Sequence, residues 1–410
     1  KIIFATTTLA QGMNFPINTV IFDTVKLRNK GNLSNAEFWN IAGRAGRAYK
    51  DKEGYIILSY ASSPKETKAA VIRYIESDLK EVISSLNAFF TGNTAISLDY
   101  NVLKDPKNAP ILNLLQYINH ILNISYDYDI NPRDVAKIRG ILTDSYLYHS
   151  LSKQEGFINA QTKLNTFVAQ YIRHVNANKK EDMAKADELG ISDISYTKVK
   201  SIIGAFINSL KANGDHEYKA SEIILQTKNV ERLTEIINII AKIPEIKIEM
   251  LGQGNLDPES IAKLLMGWVN GDKVRDIAKN IKRAGQSDEE VISLCNRYLN
   301  SQMRSYMPWG MNIYQAVSYD LQTENAQMLP SYIYYGVSSK EAVIVSKLGV
   351  PRFAVGNVLR VLKEKYAEVP ISVEHIGQLK GIVAGIDATD YQVENVSGKV
   401  IKEIVDKRIK

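Results

Sequence analysis

The chain opens with residues 1–16, KIIFATTTLAQGMNFP, a short apolar run that ends in three threonines and is followed by a helix-like segment. The residues from Ile2 to Thr6 lack the polar alternation of a half-exposed strand, and so do those from Thr19 to Phe22. Uninterrupted runs of this kind are typical of parallel strands that are buried on both faces. The sequence therefore predicts an α/β sheet, with a loop at the carboxyl end of its first strand.

That threonine loop is a candidate anion-binding element. In a parallel sheet, such loops meet helix N-termini, whose unpaired N–H groups attract negative charge. A hydroxyl of Thr6 or Thr8 either caps the following helix or donates to a phosphate oxygen, and Gly12 lets the backbone approach a ligand because it has no Cβ. A capped strand–helix turn without a ligand fits the same residues, so this stretch alone leaves both interpretations open.

Residues 34–47, SNAEFWNIAGRAGR, predict a helix that presents two arginines. Ser34 and Glu37 have the spacing of a capping box, which fixes a helix start. Arg44 and Arg47 are three residues apart, so we expect their guanidinium groups on one face of this helix. The glycines beside them each cost about 1 kcal/mol of helix stability relative to Ala. Small residues allow another surface to come close, and planar guanidinium groups grip phosphate oxygens with paired hydrogen bonds.

A further strand is predicted at residues 54–59, GYIILS, which completes half of a RecA-like α/β domain. Within this half-domain, ATTTLAQGMNFP resembles motif V, and NIAGRAGR resembles motif VI, of superfamily-2 DExH-box helicases. The resemblance is closest to the Ski-like group, which includes archaeal repair helicases and RNA-exosome helicases. Two strings in this order, about 30 residues apart, are more specific than either alone.

The resemblance implies catalytic roles for the two arginines. Arg44 and Arg47 match residues that reach the γ-phosphate of ATP from the second motor domain. The family usually has Gln where this chain has Asn40, which is one methylene shorter. We therefore assign no nucleotide contact to Asn40.

The resemblance also implies roles for four residues of the first string. Thr6 and Thr8 match residues that lie against the nucleic-acid backbone. Gly12 and Asn14 match residues that help couple the nucleotide site to that backbone, so they belong to the cofactor-binding set together with the two arginines.

A helicase of this group also has a first motor domain, with a G-x-x-x-x-G-K-[ST] phosphate loop and a D-E-x-[DH] strand for ATP and Mg²⁺. Neither pattern occurs in these 410 residues. The resemblance implies the C-terminal part of an ATP-dependent helicase or translocase that begins within its second motor domain. ATP and Mg²⁺ would be held mainly by the missing N-terminal motor domain, and the isolated chain would be inactive. The alternative is a non-hydrolysing nucleic-acid-binding or scaffolding module that retains helicase fold elements.

Composition limits the other classes of function. The net charge of +6 and the pI near 8.9 are compatible with a polyanionic partner. Cys295 is the single cysteine, and the five histidines lack ligand spacing, which argues against a disulfide framework and a metal site. No stretch approaches the roughly 18 uninterrupted apolar residues of a membrane span. We predict a cytoplasmic protein without a membrane partner.

Beyond residue 64, apolar residues recur at helical spacing, so the fold class is α/β followed by mostly α. We predict the C-terminal part of the second RecA-like domain at 1–90 and a helical, winged-helix-like region at 91–200. A ratchet-like helical bundle is predicted at 201–325, and a small helical domain that resembles a helix-hairpin-helix at 326–410.

Residues 256–271, LDPESIAKLLMGWVNG, predict a core helix of that bundle. Asp257 is its expected N-cap, Pro258 its first residue and Gly271 its stop signal. Its predicted apolar stripe consists of Ile261, Leu264, Leu265 and Trp268.

The next residues, 272–285, predict an amphipathic helix with a basic outer face. Arg275, Lys279 and Lys282 would contact phosphates along a single strand, each adding salt-dependent affinity. The alternative is an ordinary solvated face above a buried stripe. The Ski-like helicases have a long helix along the translocating strand, and this resemblance favours the first interpretation.

The segment at 342–359, AVIVSKLGVPRFAVGNVL, predicts two short helices joined by Gly349–Arg352. If this turn is a helix-hairpin-helix, its N–H groups meet a DNA phosphate, which favours DNA over RNA as partner. Simple packing of the two helices is the alternative. Tyr332, Tyr334 and Tyr335 are either base-stacking or core residues. The expected partner is a single strand or a duplex–single-strand junction.

Overall fold

A computed structural model describes residues 19–22, 26–27, 31–33, 35–42, 45, 54–59, 68–69, 72, 74, 86–92, 96–126, 128, 132–143, 145–153, 155–246, 256–391 and 396–409. The chain divides into two compact units, Lys1–Asn87 and Ala88–Lys410. The domain boundaries predicted from the sequence at residues 91, 201 and 326 stay predictions.

The first unit combines short strands with a helix. Its described elements are β1 (Thr19–Phe22), β2 (Lys26–Leu27), β3 (Gly31–Asn32), α1 (Asn35–Ala42) and β4 (Tyr55–Leu58). β1 and β4 pair in parallel, whereas β2 and β3 form a short antiparallel pair. Parallel neighbours need a crossover connection, and α1 lies in the one between β1 and β4. The strands predicted at 19–22 and 54–59, and the helix between them, are confirmed.

An aromatic cluster forms the small core of this unit. The ring of Phe38 on α1 stacks against Phe22 of β1, with centroids 5.0 Å apart, and against Tyr74, at 4.3 Å. The Tyr74 hydroxyl donates to the Leu33 carbonyl at 2.5 Å, and the Trp39 indole donates to the Tyr74 carbonyl at 2.9 Å. The cluster therefore ties α1 to one face of β1.

The side chains on the opposite face of the parallel pair are exposed, although the sequence predicted burial on both faces. Ile21 and Ile57 are register partners, and their side chains are 65% and 49% exposed. Successive strand residues point to opposite faces, so these two lie opposite the face that carries Phe22. Among the described residues, the aromatic cluster covers only the Phe22 face, so burial of the other face is not confirmed in this chain.

The second unit is built from helices. In chain order they are α2 (Asn87–Thr91), α3 (Tyr100–Leu103), α4 (Ala109–Tyr126), α5 (Pro132–Thr143), α6 (Tyr146–Ser152), α7 (Phe157–Ala177), α8 (Lys180–Leu189), α9 (Asp193–Ala212), α10 (Ala220–Glu222), α11 (Val230–Ile240), α12 (Pro258–Val269), α13 (Val274–Ile281), α14 (Asp288–Ser301), α15 (Met307–Ser318), α16 (Glu324–Tyr335), α17 (Lys340–Lys347), α18 (Arg352–Lys365), α19 (Ile376–Gly385) and α20 (Gly398–Ile409). Short π-helical segments at Ile223–Thr227 and Gln302–Tyr306 and 3₁₀ turns interrupt this series.

Two consequences follow for the predicted architecture. The mostly helical character of the later chain is confirmed. Between residues 109 and 177, the part of the chain that the structure describes contains helices and no strands, so a wing is not confirmed there.

The predicted core helix α12 has the expected ends. The Asp257 side chain accepts a hydrogen bond from the Ser260 amide at 2.7 Å, Pro258 is the first helical residue, and Gly271 follows with a φ of +91°. The predicted apolar stripe is buried, at Ile261, Leu264, Leu265 and Trp268. It belongs to one hydrophobic core that extends from Ala186 to Ile409.

Within the described residues, no single helix is long and apolar enough to cross a membrane. The bent pair α17 and α18, whose axes differ by 109°, together have the length and composition of a span. Val343, Val345 and Val358 of this pair are buried in the core of the unit.

Candidate nucleic-acid interface

The residues predicted from the two helicase-like strings lie outside the described residues. These are Thr6, Thr8, Gly12, Asn14, Arg44 and Arg47. The described helix α1 ends at Ala42, and the amide of Ala45 donates to the Ala42 carbonyl at 3.0 Å just beyond it. The expectation that one helical face carries both arginines therefore stays a prediction.

The basic helix α13 is described in full, and its amphipathic character is confirmed. Ile277, Ala278 and Ile281 are buried against the core, and Val274 is half-buried. Residues three and four positions apart share a helical face. Arg275 and Lys279 follow this spacing on the exposed side. The helix predicted over 272–285 ends at Ile281, and Lys282 lies just beyond it with extended backbone (φ −64°, ψ +131°).

The structure brings these three cations together over a shallow cleft between α13 and α14. Arg275, Lys279 and Lys282 line the cleft with Asp288, Val291 and Ile292, and its volume is about 10 Å³. A cavity of this size holds about one water molecule. The three cations therefore form an outward-facing surface, which suits a phosphate backbone better than an enclosed ligand.

Carboxylates neutralise part of this surface. Lys282 pairs with Asp288 at 2.6 Å, and Lys279 lies 3.6 Å from Asp276. Arg275 forms no salt bridge to any residue of the described chain. It is thus the cation of the three that is most available to a phosphate.

The pKa of Asp288 reports the electrostatic field at the cleft. The Lys282 hydrogen bond lowers this pKa most, and the charges of Lys282, Lys279 and Arg275 lower it further. All three cations therefore act on the position that the Asp288 carboxylate occupies. An anion is favoured there, and the protein supplies one of its own.

Asp288 was not singled out from the sequence, although a signal for its position exists. Ser287 and Glu290 form a complete capping box, which makes Asp288 the first residue of α14 and places its negative charge at a helix N-terminus. The missing information was the packing of α14 against α13.

The turn between α17 and α18 gives no support to a phosphate contact. The guanidinium of Arg352 lies 4.2 Å from the centre of the Trp268 ring and donates to the Trp268 carbonyl at 2.6 Å and the Gly336 carbonyl at 2.7 Å. Gly349, with a φ of +95°, lies against the backbone of Arg408 in α20. Both residues are engaged within the unit, which favours the packing interpretation.

The tyrosines of α16 also differ in environment. Tyr332 is buried, and its hydroxyl donates to Asn325 at 3.1 Å, so it is a core residue. Tyr335 is partly buried, and Tyr334, which is 43% exposed, contacts the Tyr335 ring edge-on at 4.8 Å. Tyr332 is therefore not available for base stacking.

No group of three or more His, Cys, Asp or Glu side chains in the described part of the chain is placed to hold a metal ion. Cys295 is buried, which raises the pKa of its thiol to about 11. The thiol is therefore protonated at neutral pH.

Comparison with known proteins gives several relatives, some of which are named helicases. No family model matches the chain. Hachiman protein HamB of Bacillus cereus is 24% identical over 391 residues, which cover 85% of this chain and 32% of that protein. Antiviral helicase SKI2 of Saccharomyces cerevisiae is 43% identical over 68 residues, 16% of this chain and 5% of that protein.

The DExH-box ATP-dependent RNA helicase DExH9 of Arabidopsis thaliana is 35% identical over 106 residues, 25% of this chain and 10% of that protein. The chain thus spans about a third of the length of the Bacillus cereus relative. These similarities support a function related to that of helicases.

Proposed function

We propose that this chain is the C-terminal part of an ATP-dependent nucleic-acid helicase or translocase. The observation that carries the proposal is the order of the helicase-like strings around the parallel pair. ATTTLAQGMNFP precedes β1, and NIAGRAGR begins within α1 and leads toward β4. Relatives named helicases support the same assignment.

In this proposal, Arg44 and Arg47 complete the nucleotide site from the second motor domain. Their guanidinium groups would stabilise negative charge on the γ-phosphate when the two motor domains close. Gly12 and Asn14 would couple that site to the strand. The resemblance to the helicase family implies that the Mg²⁺ ligands lie in the first motor domain.

The exposed face of the parallel pair supports a partial domain. Parallel sheets are normally covered on both faces, and a pair of strands is marginal on its own. Ile21 and Ile57 leave apolar surface open on the face away from α1. We expect further strands or a helix of the whole enzyme to cover this face.

Strand contact is proposed at two places. Thr6 and Thr8 would meet phosphates at the motor domain, and Arg275, Lys279 and Lys282 would meet them along α13. Each phosphate contact on a single strand contributes roughly 0.7 to the slope of log K against log salt. Three contacts on α13 therefore account for a slope of about 2.

The test is the salt dependence of single-strand binding by the 410-residue chain. Labelled DNA and RNA strands of the same sequence are titrated by fluorescence anisotropy at salt concentrations from about 50 to 200 mM, a range over which phosphate contacts dominate the change in affinity. Arg275→Glu, Lys279→Glu and Lys282→Glu together should flatten the slope by about 2. An ATPase assay of the same preparation should give no turnover.

A matched control changes the net charge equally at another surface of the same unit. Lys340, Lys363 and Lys407 are exposed cations that each pair with a glutamate. Reversing these three lysines to Glu should give the same salt slope as the wild type. If both triple variants flatten the salt slope equally, the cations of α13 form an ordinary solvated face without specific phosphate contacts. ATP turnover by the chain alone would contradict the domain assignment, and absence of strand binding would favour the scaffolding alternative.

A further inference from the structure

Tyr319 is presented to solvent in an unusual way. Its side chain is 79% exposed, the most exposed large apolar or aromatic side chain among the described residues. It ends α15 with φ +58° and ψ +32°, the left-handed conformation that glycine normally adopts at a helix end. A non-glycine residue in this region carries backbone strain of the order of 1 kcal/mol. The position thus combines an unfavourable backbone with an exposed ring.

Buried polar groups fix the backbone on both sides of Tyr319. Ser318 and Asp320 are only 5% and 4% exposed. The Asp320 amide donates to the Gln315 carbonyl at 2.9 Å, and the Asp320 carboxylate accepts a hydrogen bond from the Ser221 hydroxyl at 3.2 Å. The side-chain amide of Gln315 donates to the Ala326 carbonyl at 2.9 Å. The ring is therefore held outward by a rigid turn.

Tyr319 also stands apart from other exposed rings along the chain. Between residues 159 and 333, it is the one exposed large apolar or aromatic side chain that the structure describes. A single exposed ring is not an apolar patch of the kind that marks a protein–protein interface.

We propose that Tyr319 stacks on one base of a bound single strand. This inference rests on the proposed nucleic-acid function. An exposed aromatic ring accepts any base, because every base has a π-face. The rigid turn that carries Tyr319 loses little backbone freedom on binding.

The test uses Tyr319→Gly and Tyr319→Phe in the 410-residue chain, with labelled strands at one salt concentration. Glycine relieves the left-handed backbone, so the thermal midpoint should stay or rise. Loss of one stacked base should weaken binding about 5- to 150-fold. Tyr319→Phe keeps the ring and should bind within about twofold of wild type, since stacking needs no hydroxyl. Tyr117, which is 49% exposed on α4, supplies the control Tyr117→Ala.

An abasic strand separates stacking from backbone contact. The wild type should prefer the normal strand over the abasic one, and Tyr319→Gly should lose that preference. Unchanged affinity of Tyr319→Gly, or an equal loss on both strands, overturns the stacking role while strand binding itself stands. Equal losses for Tyr117→Ala and Tyr319→Gly also overturn it. If the wild type binds neither strand, the proposed function fails first.

Discussion

Arg352 offers the strongest stability prediction, because it joins three helices of the second unit. Its guanidinium lies over the Trp268 ring at 4.2 Å and donates to the carbonyls of Trp268 at 2.6 Å, Gly336 at 2.7 Å and Asp272 at 3.0 Å. Two of these carbonyls belong to the ends of α12 and α16, where a cation is favoured by the helix dipole. The environment leaves no spare room, since a Cβ on Gly336 would lie 2.3 Å from Trp268 and 2.7 Å from Arg352.

The magnitude follows from these contacts. A hydrogen bond to a charged group contributes about 1.5–3 kcal/mol, and a desolvated cation–π contact adds about 2 kcal/mol. Withdrawing the guanidinium from water offsets several kcal/mol of this gain. We therefore expect Arg352→Ala to lower the free energy of unfolding by about 3 kcal/mol. Arg352→Lys should recover about 1 kcal/mol, because an ammonium group cannot reproduce the planar fork.

The assay is urea unfolding followed by circular dichroism, with the midpoint and slope compared among variants. Arg360→Ala is the control, because Arg360 lies on the same helix and has fewer contacts: it donates to the Asp390 carbonyl at 3.0 Å and forms an exposed pair with Glu364 at 3.0 Å. Such a pair contributes about 0–1 kcal/mol. The reasoning is refuted if Arg352→Ala is no more destabilising than Arg360→Ala. If Arg352→Ala instead leaves the free energy of unfolding unchanged and weakens strand binding, Arg352 belongs to the nucleic-acid-binding surface.

Two further predictions concern charges at phosphate sites. In a protein that also carries the first motor domain, Arg47→Ala should lower ATP turnover by about 10³- to 10⁵-fold, and Arg47→Lys should restore little of it. The affinity for a strand without nucleotide should stay unchanged. If Arg47→Ala instead keeps its ATP turnover and loses strand affinity, Arg47 belongs to the strand-binding surface. Asp288→Asn should free Lys282 from its internal anion and tighten single-strand binding, measured against Glu289→Gln in the same helical turn. If Asp288→Asn and Glu289→Gln change strand affinity equally, the effect is one of net charge and Asp288 has no special role.

Local signals predicted the elements that depend on local physics. The strand at Thr19–Phe22 follows from β-branched residues, and the ends of α12 follow from Asp257, Pro258 and Gly271. Each of these signals acts within a few residues of its own position. The buried and exposed sides of α13 were predicted for the same reason, since helical spacing alone separates them.

Features that depend on distant residues were not predicted. The strand sequence indicated burial on both faces, but the covering of Ile21 and Ile57 depends on what packs there. The engagement of Arg352 depends on Trp268, which is 84 residues away in the sequence. The exposure of Tyr319 depends on the buried contact between Asp320 and Ser221, 99 residues apart. No periodicity in a single sequence carries such information.

The contrast between Arg275 and Arg352 shows why a count of cations overestimates a phosphate surface. Both arginines occupy positions that suggest nucleic-acid contact from sequence alone, and both are near turns between short helices. Arg352 is committed to carbonyls and an aromatic ring, whereas Arg275 has no salt bridge among the described residues. Lys282 is intermediate, because a phosphate must compete with Asp288 for it. The affinity of α13 for a strand is therefore set by which of its cations already have an internal anion.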